Sequence, residues 1–234
     1  MTLPMLTLNA SASLRTNLSF QHIGGAAIFA RECQTIEARH TPVTGDWPYA
    51  PDADMLRHAA HATAAVISAA CALEATVNEF YLDACDRNER ALGRAEGVAP
   101  LIERLWDTVE RASVLRKYQW VLSLARAELF PPDEAPFSQA ASLMVLRHAL
   151  VHYKPEWSNA ATINSRLEAR LGTIFPYNPL AAPGQFFIPY RCLGFGCAAW
   201  AIRAARDFIV SFHERLGIRS LMLSYDAELH VGGE

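Results

Sequence analysis

Hydrophobic residues recur at three- and four-residue steps through most of the chain, which is the spacing that places them on one face of an α-helix. Four long stretches follow this pattern, at residues 54–87, 101–128, 138–154 and 192–216. Short loops between such helices favour antiparallel packing. The pattern therefore predicts an all-α protein whose core is an antiparallel four-helix up-and-down bundle.

The segments outside these four helices are less regular. The predicted division is an N-terminal arm of mixed or irregular structure at 1–50, a helical domain at 51–218 and a C-terminal tail at 219–234. Within the arm, residues 25–39 could form a helix, and the arm is expected to lie along the helical body without an independent core. An amphipathic stretch at 159–172 predicts a short helix, and a proline-rich, aromatic loop follows before the last helix.

Composition bounds the class of protein. The 234 residues are 51% hydrophobic, which is enough to bury a sizeable core, and the formal net charge of −3 excludes a broad basic surface. The five cysteines are odd in number and lack a metal-type spacing, so they are expected to be buried thiols of a reducing compartment. We expect a cytoplasmic protein without a signal peptide or membrane span.

Three polar side chains interrupt the apolar pattern at the end of the third predicted helix. Arg147, His148 and His152 lie just before Pro155, which lacks a backbone donor and disfavours helical geometry at Lys154. His148 and His152 are four residues apart and therefore neighbours on the helix, whereas Arg147 and His152 are separated by about 140° around it. The helix C-terminus carries partial negative charge, which favours a protonated imidazole.

The segment Arg147-His148-Ala-Leu-Val-His152-Tyr-Lys-Pro-Glu-Trp resembles the signature helix of the HEPN family of small helical domains. In many family members an arginine, a polar residue and a histidine in this arrangement form a metal-independent ribonuclease site. The resemblance implies that His152 is a general base or acid, that Arg147 clamps the phosphate and that His148 orients the substrate or transfers a second proton. His148 stands where family members commonly have asparagine.

The resemblance also carries expectations about partners. The sites of two subunits face each other in the family, so it implies a homodimer with an RNA substrate, and an antitoxin or a nucleotidyltransferase-type protein as a further partner. Tyr153, Trp157 and the aromatic loop add large apolar side chains around the motif, which also favours a dimer. No cofactor, metal ion or membrane is expected.

Two polar residues on the first predicted core helix are candidates for a supporting role. Glu74 and Asn78 lie four apart beside its apolar stripe, where either could pair with Arg147 of a packed helix, as the HEPN resemblance also implies. They could equally be an ordinary surface pair. The five basic residues of the second predicted helix, Lys117 among them, are expected on a solvated face.

Other chemistries find less support in the sequence. The pairs His148-x3-His152 and His58-x2-His61 have spacings that a helical metal site could use, but no third ligand is evident near either. No phosphate-binding glycine loop and no nucleophile elbow occur. Two hypotheses remain: a metal-independent endoribonuclease that uses Arg147, His148 and His152, and a non-catalytic helical interaction module of the same fold.

Overall fold

The structure is a computed structural model that describes residues 15–40, 52–157, 162–182 and 184–225, together with Leu229. Within these residues the protein is all-α, with eight α-helices and no β-strand. The helices are α1 (Ser19–Arg39), α2 (Asp52–Cys85), α3 (Glu89–Leu92), α4 (Ala99–Val109), α5 (Val114–Leu124), α6 (Phe137–Val151), α7 (Thr162–Leu171) and α8 (Phe195–Leu216).

Helices α1 and α2 form the most extensive helix pair of the described protein. Small residues on both helices are fully buried at this contact, among them Ala26 and Ala30 of α1 and Ala62, Ala65 and Ala69 of α2. Because alanine adds little bulk, the two backbones can approach closely over several turns. Helix α1 is thus part of the core. It contains the helix predicted at 25–39 and begins six residues earlier, so the arm is helical and not irregular over residues 19–39.

Helix α2 is the central helix of the molecule and the one described helix that could span a membrane by length and composition. It contains 34 residues, and half of its apolar window, of mean hydropathy 1.4, is buried inside the protein. Core helices of water-soluble proteins have the same properties. The helix packs against α1, α4, α6 and α8.

Aromatic side chains fill the space between α2, α5 and α8. The Tyr118 ring is nearly perpendicular to the rings of Phe208 and Phe212, at centroid distances of 4.8 and 4.7 Å. Its hydroxyl donates a 2.7 Å hydrogen bond to the Leu73 carbonyl. Phe80 of α2 contacts Phe212 in the same edge-on manner. Such pairs stabilise the core beyond simple area burial.

The remaining helix boundaries follow the sequence pattern with one exception. The predicted helix at 101–128 is two helices, because the chain turns at 110–113 and Ser113 adopts an extended conformation before α5 begins. The predictions at 54–87, 138–154, 159–172 and 192–216 correspond to α2, α6, α7 and α8. Predictions for residues 1–14, 41–51, 226–228 and 230–234 lie outside the described residues.

Candidate functional site

Helix α6 presents two different faces to the rest of the molecule. Ala140, Leu143 and Leu146 are fully buried in the core. Val145, His148, Ala149 and His152 lie on another face and line a cleft. A helix rotates by about 100° per residue, so the motif's consecutive Arg147 and His148 necessarily point in different directions.

The cleft lies between α6, α7 and the kinked turn Phe187–Arg191, and its volume is about 250 Å³. Its polar lining consists of His148, His152, Tyr153, Lys154 and Asn164. Its apolar walls are Val145, Ala149, Ile163, Leu167 and Ile188. The arrangement combines an apolar pocket with a few convergent polar groups, which is the usual composition of a ligand site.

The two histidine side chains form a pair at the end of α6. Their ring centroids are 4.6 Å apart with an angle of 47° between the ring planes, and both side chains are exposed to solvent. The backbone N–H of His152 donates a 2.9 Å hydrogen bond to the His148 carbonyl, which holds the second histidine at the helix end. The pair can therefore reach a molecule bound in the cleft.

Hydrogen bonds hold in place α7, which forms the wall of the cleft opposite the histidine pair. The Glu156 carboxylate accepts hydrogen bonds from the backbone N–H groups of Ile163 and Asn164, at 2.7 and 3.0 Å, and so caps the start of α7. The Asn164 side-chain oxygen in turn accepts a 2.7 Å bond from the backbone N–H of Ile188. These contacts tie α7 to the segment after the histidine pair and to the kinked turn.

Arg147 does not line the cleft. It continues the buried stripe of Ala140 and Leu143 towards α2, where its charge acts on Cys71. Burial raises the pKa of the Cys71 thiol, the Arg147 guanidinium lowers it, and the Glu74 carboxylate raises it. The structure thus brings His148 and His152 together and places Arg147 on a different side of the same helix.

The predicted contact of Arg147 with Glu74 or Asn78 is not formed as a hydrogen bond or an ion pair in the described part of the chain. Asn78 is instead the acceptor for Lys117, whose Nζ donates a 2.9 Å hydrogen bond to Asn78 Oδ1. Glu74 lies close enough to act on the charge states of both Cys71 and Lys117. The supporting residues are therefore shared with a lysine that sequence reasoning placed on the solvated surface.

Exposed aromatic residues lie on the chain segments that border the cleft. Trp157 is 83% exposed, and Tyr153 and Tyr190 are also exposed. Lys154 lies two residues beyond His152 and contributes a cation that sequence reasoning did not assign to the site. The position of Lys154, two residues after His152, is the sequence feature that could have indicated this role.

The described residues contain one cluster of side chains that could bind a metal ion, formed by Cys33, Glu37 and His58, and it lies outside the cleft. His58 therefore has neighbouring ligands that its spacing from His61 did not indicate, while the His61 ring stacks on Phe29. The cleft histidines are not part of such a group.

No family model, curated protein or solved structure matches this chain.

Proposed function

We propose that the protein is a HEPN-like, metal-independent endoribonuclease that cleaves RNA in the cleft between α6 and α7. The observation that carries the proposal is the exposed pair His148 and His152, 4.6 Å apart, in an open cleft that also contains Lys154. Two imidazoles can act as general base and general acid, and an ammonium group can stabilise negative charge on the phosphate. Together they can cleave a phosphodiester without a metal ion.

In the proposed reaction one histidine removes the proton from a ribose 2′-hydroxyl, whose oxygen then attacks the adjacent phosphorus. The second histidine protonates the departing 5′-oxygen, so that the chain breaks into a 2′,3′-cyclic phosphate and a 5′-hydroxyl. Imidazole is the side chain class that titrates near neutral pH, so it can serve in either role. We assign the base to His152 and the acid to His148.

The negative charge that develops on the phosphoryl oxygens requires a cation. Lys154 fits this role because it lines the cleft beside both histidines. Arg147 of the same chain is turned towards α2, so we assign it to holding α6 in position through the surroundings of Cys71 and Glu74. This differs from the phosphate clamp that the family resemblance implies.

The proposal includes the finer architecture and assembly of the family. Helices α2, α6 and α8, with α4 and α5 as the divided fourth member, would form the antiparallel four-helix bundle. Two copies would associate about a two-fold axis near α6, so that both clefts open towards each other. Exposed aromatics such as Trp157 and Tyr153 suit single-stranded RNA, because bases stack on aromatic rings without regard to sequence.

The test is cleavage of a fluorescent single-stranded RNA by purified protein in the presence of a chelator. We expect His152→Gln and His148→Gln to reduce the cleavage rate by about 10² to 10⁴, the usual contribution of a general acid or base. His22→Gln, which changes a histidine outside the cleft, should cleave as fast as the wild type. The proposal fails if the wild type does not cleave RNA or if His152→Gln cleaves equally well.

A second candidate is a non-catalytic interaction module of the same fold. The position of Arg147 favours it, because the arginine lies near Cys71 of α2 and leaves the cleft without the phosphate clamp of the family's ribonuclease site. The 83% exposure of Trp157 also suits a protein-binding surface. Expression in bacteria separates the two functions. Growth arrest that disappears with His152→Gln supports the nuclease, and harmless expression of the wild type supports the module, for which an antitoxin or a nucleotidyltransferase-type protein would be the partner.

A further inference from the structure

Three metal-binding side chains meet between α1 and α2, away from the cleft. Cys33 and Glu37 are four residues apart and therefore share one face of α1, and His58 reaches them from α2. Their ligand atoms all lie within 4.8 Å of one another. Cys33 and His58 are buried, and Glu37 is nearly so.

We propose that Cys33, Glu37 and His58 form a binding site for a divalent transition metal ion, with Zn²⁺ the best match. One thiolate, one imidazole and one carboxylate are all ligands that zinc accepts, and a water molecule completes four positions. The site is independent of the proposed ribonuclease, because none of its residues lines the cleft. It would join α1 to α2 at the largest helix contact of the fold.

One of two distances between the donor atoms fits tetrahedral coordination, and the other would have to lengthen. Zinc bond lengths predict a sulfur–oxygen separation of roughly 3.6 Å and a nitrogen–oxygen separation of roughly 3.3 Å. The Cys33 Sγ to Glu37 Oε1 distance is 3.7 Å. The His58 Nε2 to Glu37 Oε1 distance is 2.7 Å, so metal binding requires these two side chains to separate by about half an ångström.

The carboxylate at the centre of the cluster is held in place by α8. The backbone N–H of Phe195, the first residue of that helix, donates a 2.7 Å hydrogen bond to Glu37 Oε1. The preceding Gly194 allows this approach, because a Cβ at that position would lie only 2.9 Å from the same oxygen. Such a second contact orients a ligand and supports its affinity for the metal.

The same contacts define the competing explanation. Glu37 could serve only to join His58 to the start of α8 by hydrogen bonds, without a metal. The thiol of Cys33 distinguishes the two, because without a metal it donates a long hydrogen bond of 3.7 Å to Glu37, whereas a metal ion would bind its sulfur directly. A bound cation would take the Cys33 thiolate as a ligand and release the thiol proton, whereas a contact between Glu37 and His58 alone requires no such change.

The experiment uses the full chain, purified without a histidine tag, stripped with a chelator and titrated with Co²⁺ and then Zn²⁺. We expect one metal ion per chain, thiolate-to-cobalt charge-transfer absorption, and displacement of Co²⁺ by Zn²⁺. Cys33→Ser should abolish the charge-transfer absorption and weaken binding by about tenfold or more. Cys71→Ser changes a half-buried cysteine outside the cluster, so it should leave the charge-transfer absorption and the metal affinity unchanged.

Two measurements guard against a variant that does not fold. Zn²⁺ should raise the melting temperature of the wild type, and chelator should reverse the increase, because a ligand that binds the native state stabilises it. His58→Gln should remove this shift while retaining a side chain that can hydrogen bond to Glu37. The proposal is overturned if the wild type takes up no stoichiometric metal, or if Cys33→Ser keeps the full cobalt absorption.

Discussion

The Nζ atom of Lys117 donates a 2.9 Å hydrogen bond to Asn78 Oδ1, which links α5 to α2 in the interior of the protein. Lys117 is only 1% exposed, and its ammonium group lies 5.3 Å from the centre of the Trp106 ring. Burial lowers the pKa of this lysine, while the carboxylates of Glu74 and Glu110 partly offset the effect. The core therefore contains a cation whose protonation depends on folding.

The lowered pKa of Lys117 predicts how stability changes in alkaline solution. Between the folded-state pKa and the usual value of 10.5, the Lys117 side chain binds more protons in the unfolded chain, so its contribution to stability rises as pH rises through this window. Lys117→Met should remove this rise, as measured by urea unfolding at a series of pH values below 10.5. Lys154→Met changes an exposed lysine, so this variant should still show the rise of stability with pH. Parallel stability curves for the wild type and Lys117→Met would contradict the prediction.

Lys117 also shows where sequence reasoning failed and why. The single helix predicted at 101–128 continues one apolar stripe, which leaves Lys117 on the solvated face. The turn at 110–113 ends α4 and starts α5 in a new orientation, so the stripe does not carry across it. A break of a few residues thus reverses the burial of a charged side chain, and the sequence contains no glycine or proline there to mark it.

The end of α6 was predictable from local chemistry, whereas the groupings between helices were not. Pro155 and the four-residue spacing place His148 and His152 side by side near a helix end, as the structure has them. Cys33 and Glu37 have the same spacing on α1, but their partner His58 comes from a different helix. Spacing along one helix determines its own faces, while the contact between two helices depends on packing.

Gly93 supports a second prediction, about the connection between α3 and α4. Its φ of +52° is unfavourable for residues with a Cβ, and a Cβ there would collide with the backbone carbonyl of Leu216 at the end of α8. Gly93→Ala should therefore lower the free energy of unfolding by more than about 2 kcal/mol. Urea denaturation measures the difference directly.

Gly97 provides the matched control for this change. Both glycines lie in one short 3₁₀ helix, Gly93–Val98, but a Cβ at Gly97 would meet no atom within 4 Å. Gly97→Ala should leave stability unchanged or raise it by about 0.4 to 1 kcal/mol, since alanine restricts the unfolded chain. Equal losses in the two variants would show that the Leu216 carbonyl is not the cause.

His213 predicts the response to mild acid. Burial lowers its pKa to about 4, and its Nδ1 lies 3.0 Å from Ser220 Oγ. Between pH 6.5 and 4 the unfolded chain binds more protons, so stability should fall as pH falls, by at most about 3 kcal/mol at 1.4 kcal/mol per unit. His213→Gln, which can still bond Ser220, should lose less stability over this range in thermal unfolding. An identical loss would assign the acid sensitivity to other groups.

The last prediction concerns self-association at the mouth of the cleft. Trp157 is 83% exposed, and Tyr153, Ile163 and Tyr190 are exposed apolar or aromatic side chains of the same region or its adjoining turn. A cluster of this kind is typical of an interface centre, where tryptophan and tyrosine contribute most of the binding energy. We therefore expect a homodimer in sedimentation at micromolar concentration, as the proposed two-subunit ribonuclease requires.

Trp157→Glu should weaken this dimer by about tenfold or more, because it places a charge in the desolvated centre of the interface. Leu56→Glu is the control, since Leu56 is similarly exposed, at 73%, but lies near the start of α2 and does not line the cleft. The control variant should sediment as the wild type does. A monomeric wild type, or equal weakening by both substitutions, would remove the argument that the two clefts face each other, and with it the proposed two-subunit arrangement.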